Sequence, residues 1–315
     1  MRPTLHRPVR SSRCPGRELV LCTLLALLAA CDGVAEDATL GAPTVTPATT
    51  DEGQWSTLIS VDWTLEGGSE GFICALHTVE EDLLVRSFRA DSPLGTHHTV
   101  LTMTEAVGED RVFPCDPGAM SDAMLFASGY GTDDLSLPEG VAIRIPAGKQ
   151  VLLNLHLFNM YPESRSGTSA TLIQTLNEED VVAEAEVVFA GTADFAIPPN
   201  EEASATGSCV FEQDATLLSL WPHMHEHGRH MVIEHHGAHG VTTLHDAPYS
   251  FYDQTNEPIE PLVVRAGERI DVTCRWHNTS DEVVSYGDTS IEEMCFAGLY
   301  RYPAFSRGLY CDLPF

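Results

Sequence analysis

Arg269-Ile270-Asp271-Val272-Thr273-Cys274-Arg275-Trp276 alternates polar and apolar side chains without a break. In extended chain successive side chains point to opposite faces, so Ile270, Val272, Cys274 and Trp276 share one face. The same period of two recurs in Val151, Leu153, Leu155 and Leu157 against Asn154 and His156, and in Ile59, Val61 and Trp63. Turn signals separate these runs: Pro93-Leu94-Gly95, Pro146-Ala147-Gly148, Gly237-Ala238-His239-Gly240 and Ala266-Gly267. No stretch carries a long period of 3.6. Many short strands with Gly/Pro turns predict an all-β chain built as a sandwich or barrel. Ile197-Pro198-Pro199-Asn200-Glu201-Glu202 breaks the pattern, because two prolines cannot continue a central strand. The break predicts halves at residues 54–196 and 197–315, each long enough for one sandwich.

Upstream of the strands the chain reads as an address. Five arginines (Arg2, Arg7, Arg10, Arg13 and Arg17) precede the apolar run Leu19 to Ala30. That run is too short to span a bilayer and reads as the core of a secretory signal. It ends in Leu28-Ala29-Ala30-Cys31, which resembles the lipobox of bacterial lipoproteins, with Cys31 as the lipidated residue. The expectation is a signal at 1–30 and a disordered tether at 31–53, rich in Ala, Thr, Asp, Glu and Pro. The protein would be an exported, cell-envelope lipoprotein held to the membrane by its N-terminal acyl chains alone.

The 315 residues carry 46 acids against 17 Lys+Arg, a formal net charge of −29. Phosphate backbones need a basic footprint, so nucleic acid is excluded as a default partner. The acidity also argues against docking on anionic lipid through a basic patch. Of nine Cys, Cys14 and Cys22 lie in the signal and Cys31 takes the lipid. Six remain: Cys74, Cys115, Cys209, Cys274, Cys295 and Cys311. An even number in an oxidising compartment predicts three disulfides, and spacing alone does not choose the pairing. No pair has CxxC spacing, which argues against a zinc ribbon or thioredoxin-type site.

The 14 histidines are clustered. His223, His225 and His227 occupy alternate positions, which on a strand share one face and project together, a common way to present metal ligands. His230, His235, His236, His239 and His245 follow and read as an exposed His-rich loop. His156 alone reads as an ordinary core or surface histidine. So do His97 and His98, since neighbours on a strand point to opposite faces unless a bulge or turn intervenes. Met294 alone reads as packing. From the residues the chain is an exported, metal-binding β-sandwich protein.

The order of these residues goes further. Gly95-Thr96-His97-His98-Thr99, His156, His223-Met224-His225 and Glu292-Glu293-Met294-Cys295 occur in one chain. Together they resemble the copper type II ascorbate-dependent monooxygenases, the family of dopamine β-hydroxylase and peptidylglycine α-hydroxylating monooxygenase. Ile197-Pro198-Pro199 followed by Cys209 also resembles that family's domain junction. The resemblance spans nearly all of the chain past the tether. It implies two tandem jelly-roll domains holding two copper ions, with O2 and ascorbate or another one-electron reductant. It implies that His97, His98 and His156 hold the electron-transfer copper. It implies that His223, His225 and Met294 hold the copper where O2 and substrate react. A thioether favours Cu(I), and imidazoles let the site cycle. The resemblance further implies Cys74–Cys115, Cys209–Cys311 and Cys274–Cys295. His227 matches no ligand position.

The chain departs from the peptide-amidating members. The Arg two residues before their His-x-His pair is Trp221 here, and their Asn and Tyr after the Met are Phe296 and Gly298. The peptide-carboxylate clamp is therefore absent, and Trp221 and Phe296 read as walls of an apolar pocket or as core. The leading expectation is a monooxygenase that hydroxylates an sp3 C–H of a small molecule. One alternative is a non-catalytic copper-binding or storage lipoprotein. Another is a zinc hydrolase using His223, His225 and His227.

Overall fold

A computed structural model describes residues 54–119, 123–129, 134–305 and 309–311. The predicted signal, tether and Cys31 lie outside the described residues. The all-β expectation holds. Apart from one 3-10 turn at Glu178–Asp180, every regular element among the described residues is a strand.

Two sheets arise before residue 185. One runs in the order Ser56–Leu65, Arg165–Thr175, Leu83–Asp91, Val141–Ile145, with Ala183–Glu184 added in parallel at its edge. The other runs Arg111–Pro114, Glu70–Thr78, Gln150–Phe158, Thr96–Thr104, Ala123–Gly129. Their apolar faces share one core: Trp63 and Phe88 from the first sheet pack with Leu101, Phe126 and Leu153 from the second. Gln150–Phe158 is buried at every position but its last. Its apolar alternates feed the core, and its opposite face is covered too. There Asn154 Nδ2 donates to the carbonyls of Pro117 and Ala119 at 3.1 Å each.

After residue 185 the pairing changes partners. Glu186–Gly191 pairs with Phe296–Tyr302, followed by Ala215–His223 and Glu257–Val264. A second sheet runs Glu202–Val210, Arg269–His277, Gly228–Gly237, Gly240–Pro248. In Arg269–His277 the residues Ile270, Val272, Cys274 and Trp276 are all buried, as the alternation predicts. The change of partners thus precedes the Pro198-Pro199 break. Ala196–Ile197 forms a two-residue pair with Val284–Ser285, and the prolines follow it outside any strand.

The segment between Gly240–Pro248 and Glu257–Val264 reaches back across the molecule. Asn256 Nδ2 donates to the Ala127 carbonyl at 2.7 Å, and Phe251 packs 4.9 Å from the His97 ring. Trp221, Met294, Phe296 and Tyr300 belong to the same apolar cluster as Phe126 and Leu101. Cys74–Cys115, Cys209–Cys311 and Cys274–Cys295 are all formed.

Candidate metal centre

His97, His98 and His156 come together although the first two are neighbours on one strand. The reason is a bulge. Thr96 pairs with Leu157 and His98 with His156, so the ladder skips His97. The bulge turns His97 and His98 to the same side. Gly95 sets it up at φ +115, where a Cβ would sit 2.6 Å from the Trp63 indole. Only glycine fits that conformation beside that ring.

The three rings meet through the same atom. His97 Nδ1 lies 3.1 Å from His98 Nδ1 and 3.2 Å from His156 Nδ1, and the last two are 3.4 Å apart. The centre of such a triangle is about 1.9 Å from each corner, close to the roughly 2.0 Å of a metal–imidazole bond. On the far side of its ring, His156 Nε2 donates to Glu70 Oε1 at 2.6 Å, and Phe72 stacks on the ring at 4.3 Å. That carboxylate keeps the proton on Nε2 and leaves the Nδ1 lone pair facing inward. Burial pushes His97 and His156 down to about 4 and His98 well below its ordinary value, so all three rings are neutral near pH 7. Three converging lone pairs repel one another, and a cation at their centre relieves this.

The second set is assembled differently. Strand Ala215–His223 ends at His223, and the following residues turn. The expected single face of His223, His225 and His227 is therefore not formed. His223 Nδ1 donates to Gln254 Oε1 at 2.9 Å, and His225 Nδ1 to the Glu292 carbonyl at 3.2 Å. Both hydrogen bonds place the ring proton on Nδ1 and leave Nε2 free as a ligand atom. Burial pushes His223 down to about 3 and His225 to about 4. Trp221 stacks on His223 at 4.8 Å. His223, His225 and Met294 line one cavity of about 60 Å³, together with Trp221, Phe296 and Phe251. His98 of the first set lines it as well. His227 is buried away from it.

Glu293 is the residue that sequence reasoning missed. Its carboxylate is fully buried. Oε2 accepts from His225 N at 2.9 Å, Met294 N at 3.1 Å and Trp276 Nε1 at 3.0 Å, and Oε1 accepts from His227 N at 2.7 Å. Burial pushes Glu293 up to about 7, while these four donors pull it down. The available signal was an acid set directly between Glu292 and the buried Met294-Cys295 pair.

His230, His235, His236, His239 and His245 form no exposed loop. They sit on the hairpin Gly228–Gly237 and Gly240–Pro248, except His239 in its turn. Four are paired with acids: His230 with Asp246, His235 with Glu268, His236 with Asp271 and His245 with Glu257. Three of these acids lie on neighbouring strands and Glu268 in the turn before one, so each of the four histidines has a partner without a metal.

Residues 183–312 match the family model of the copper type II ascorbate-dependent monooxygenase, C-terminal domain. The match contains His223, His225, Glu293, Met294 and the Cys274–Cys295 bond. Two imidazoles with free Nε2 atoms on the same cavity as a buried thioether fit copper. No curated protein matches the chain. Among solved structures, tomato (Solanum lycopersicum) vicilin is 10% identical over 80% of this chain and 75% of its own, at a TM-score of 0.17. The infectious bursal disease virus Gt strain is 10% identical over 85% and 73%, at 0.18. A variant of Bacillus subtilis oxalate decarboxylase is 10% identical over 73% and 71%, at 0.16. Likenesses of that size carry no argument.

Proposed function

We propose that the protein is a copper-dependent monooxygenase hydroxylating an sp3 carbon of a small substrate. The observation that carries this reading is that two unlike ligand sets face one cavity: His98 of an all-imidazole trio, and His223, His225 and Met294. His97, His98 and His156 would hold the electron-transfer copper. His223, His225 and Met294 would hold the copper at which O2 and substrate meet. Bound copper supplies single electrons and a place for O2 to be reduced. The overall reaction takes R–H, O2, two electrons and two protons to R–OH and water, with an ascorbate-type donor supplying the electrons.

The chain's own residues prepare this. Gln254 and the Glu292 carbonyl aim the two Nε2 atoms, and Glu293 fixes the backbone on both sides. Trp221, Phe296 and Phe251 give the cavity apolar walls. At about 60 Å³ the cavity admits O2 or a few waters, so a larger substrate requires side chains such as Phe251 to move. Asp288 also lines it, and a carboxylate there disfavours an anionic substrate.

Each half is read as a jelly roll. Number the eight principal strands of either half 1 to 8 in chain order. One sheet then runs 1-8-3-6 and the other 2-7-4-5, the order of two nested Greek keys. The three disulfides suit an exported protein, in keeping with the proposed cell-envelope lipoprotein anchored through Cys31.

The test is metal stoichiometry. Protein loaded with Cu(II) and dialysed should hold two coppers per chain. Met294→Ala should keep both as Cu(II) and lose one on reduction to Cu(I). One metal, none, or zinc held in preference to copper would refute the monooxygenase.

A further inference from the structure

A second hollow, of about 250 Å³, opens beside the first histidine set. Its walls include His97, Phe158, Met160, Tyr161, Arg165 and Tyr252. Two buried donors in this wall, Arg165 Nε and His97 Nε2, have no acceptor. Buried donors are nearly always satisfied, so such a pair asks for a partner. The His97 atom must be a donor if Nδ1 serves as the ligand atom, because the neutral ring then carries its proton on Nε2. The Arg165 guanidinium is always charged, and its central carbon lies 3.9 Å from the centre of the Tyr161 ring. The Tyr252 ring stands edge-on to His97 at 5.9 Å. The hollow thus offers one full positive charge and two N–H donors between aromatic faces. A flat, oxygen-rich anion is the complement. In a chain of net charge −29, such a ligand needs a local cation to approach at all.

We propose that this hollow docks the electron donor as a small acidic enediol in its monoanionic form, with one oxygen on Arg165 and another on His97 Nε2. The proposal rests on the copper reading of the His97 set. Ascorbate belongs to this class, and it is the donor in the description of the family matched by residues 183–312. A donor on His97 Nε2 is separated from the metal position by a single imidazole ring. At each visit the monoanion gives up one electron, reducing one copper(II) to copper(I), and leaves as its radical anion. Its enol proton passes to water at the mouth, where Met160 is 76% and Tyr252 65% exposed. Two visits supply the two electrons that one O2 requires.

The experiment uses the full chain under argon, with ascorbate as the probe and Arg165→Gln and Arg165→Lys as variants. Ascorbate binding to metal-free protein is read by calorimetry. Loss of the Cu(II) paramagnetic signal against ascorbate concentration is read on copper-loaded protein. Wild type should bind saturably, and its reduction rate should saturate at a similar concentration. Arg165→Gln should weaken both by about tenfold to a hundredfold, the worth of hydrogen bonds to a charged group. Arg165→Lys should recover part of the loss, because it keeps the charge but not the fork. Copper content should be the same in all three. Unsaturable reduction of wild type, or wild-type affinity in Arg165→Gln, would overturn the site while leaving the copper assignment standing. Failure of the His97 set to take up copper would overturn the copper assignment and with it the donor role of the hollow, even where ascorbate still binds.

Discussion

Glu293 collects N–H groups from three separate stretches: the turn at His225 and His227, the strand bearing Trp276, and Met294. Each donor is buried, so removing the acceptor leaves all four unsatisfied. The residue touches no proposed substrate, yet it holds His225 and Met294 in register. Glu293→Gln keeps the shape but replaces an oxygen with an NH2 that faces other donors. We expect a loss of about 1–3 kcal/mol in denaturant unfolding, the cost of leaving a buried donor unsatisfied. Cu(I) should be lost from the Met294 site and copper retained at His97, His98 and His156. An unchanged unfolding midpoint together with an unchanged Cu(I) count would show that Glu293 is a bystander.

At the level of elements, both ligand sets depend on where a strand stops being regular. The bulge at His97 lets two sequence neighbours share a side, and the end of Ala215–His223 frees His225 to turn toward Glu292. Regular strands would have put His97 and His98 on opposite faces. The Cys274–Cys295 bond ties the central strand of one sheet to the residue after Met294, closing a loop of sequence separation 21. A Cys274→Ala, Cys295→Ala double variant should lose about 2–4 kcal/mol of stability. Its Cu(I) affinity at the Met294 site should fall, while the trio, carried on the strands Thr96–Thr104 and Gln150–Phe158, should not respond. Equal weakening of both coppers would mean that the bond only stabilises the fold.

Across the whole molecule, the two sets are joined by one apolar cluster and by the segment that carries Phe251, Gln254 and Asn256. That segment packs on His97 through Phe251 and holds His223 through Gln254, so it touches both sets. The proposed division of labour predicts that one set can be lost without the other. His156→Ala should hold one copper per chain in place of two and should not turn over. Substrate binding at the Met294 site should survive. Full activity in this variant would rule out the two-site scheme.

Alternation every two residues was enough to read an all-β chain, because burial of one sheet face is written locally in the side chains. The strand Arg269–His277 follows that reading residue by residue. The donor residues were legible too, and the disulfide partners followed from the family resemblance. The spacing of His223, His225 and His227 misled, because strand periodicity says nothing about where a strand ends. The hairpin histidines misled for a similar reason, since their acidic partners lie on other strands or, for Glu268, in the turn before one. Glu293 was invisible as a role, because its four donors come from segments far apart in sequence. The chain by itself determined its strands and its stock of metal-binding groups, since both depend on side-chain chemistry and near neighbours. Only the tertiary structure decided which groups meet. His97 and His156 are 59 residues apart, His225 and Glu292 are 67, and Asn256 and Ala127 are 129. Contacts at that range are set by register, bulges and the packing of whole sheets, none of which a local pattern encodes.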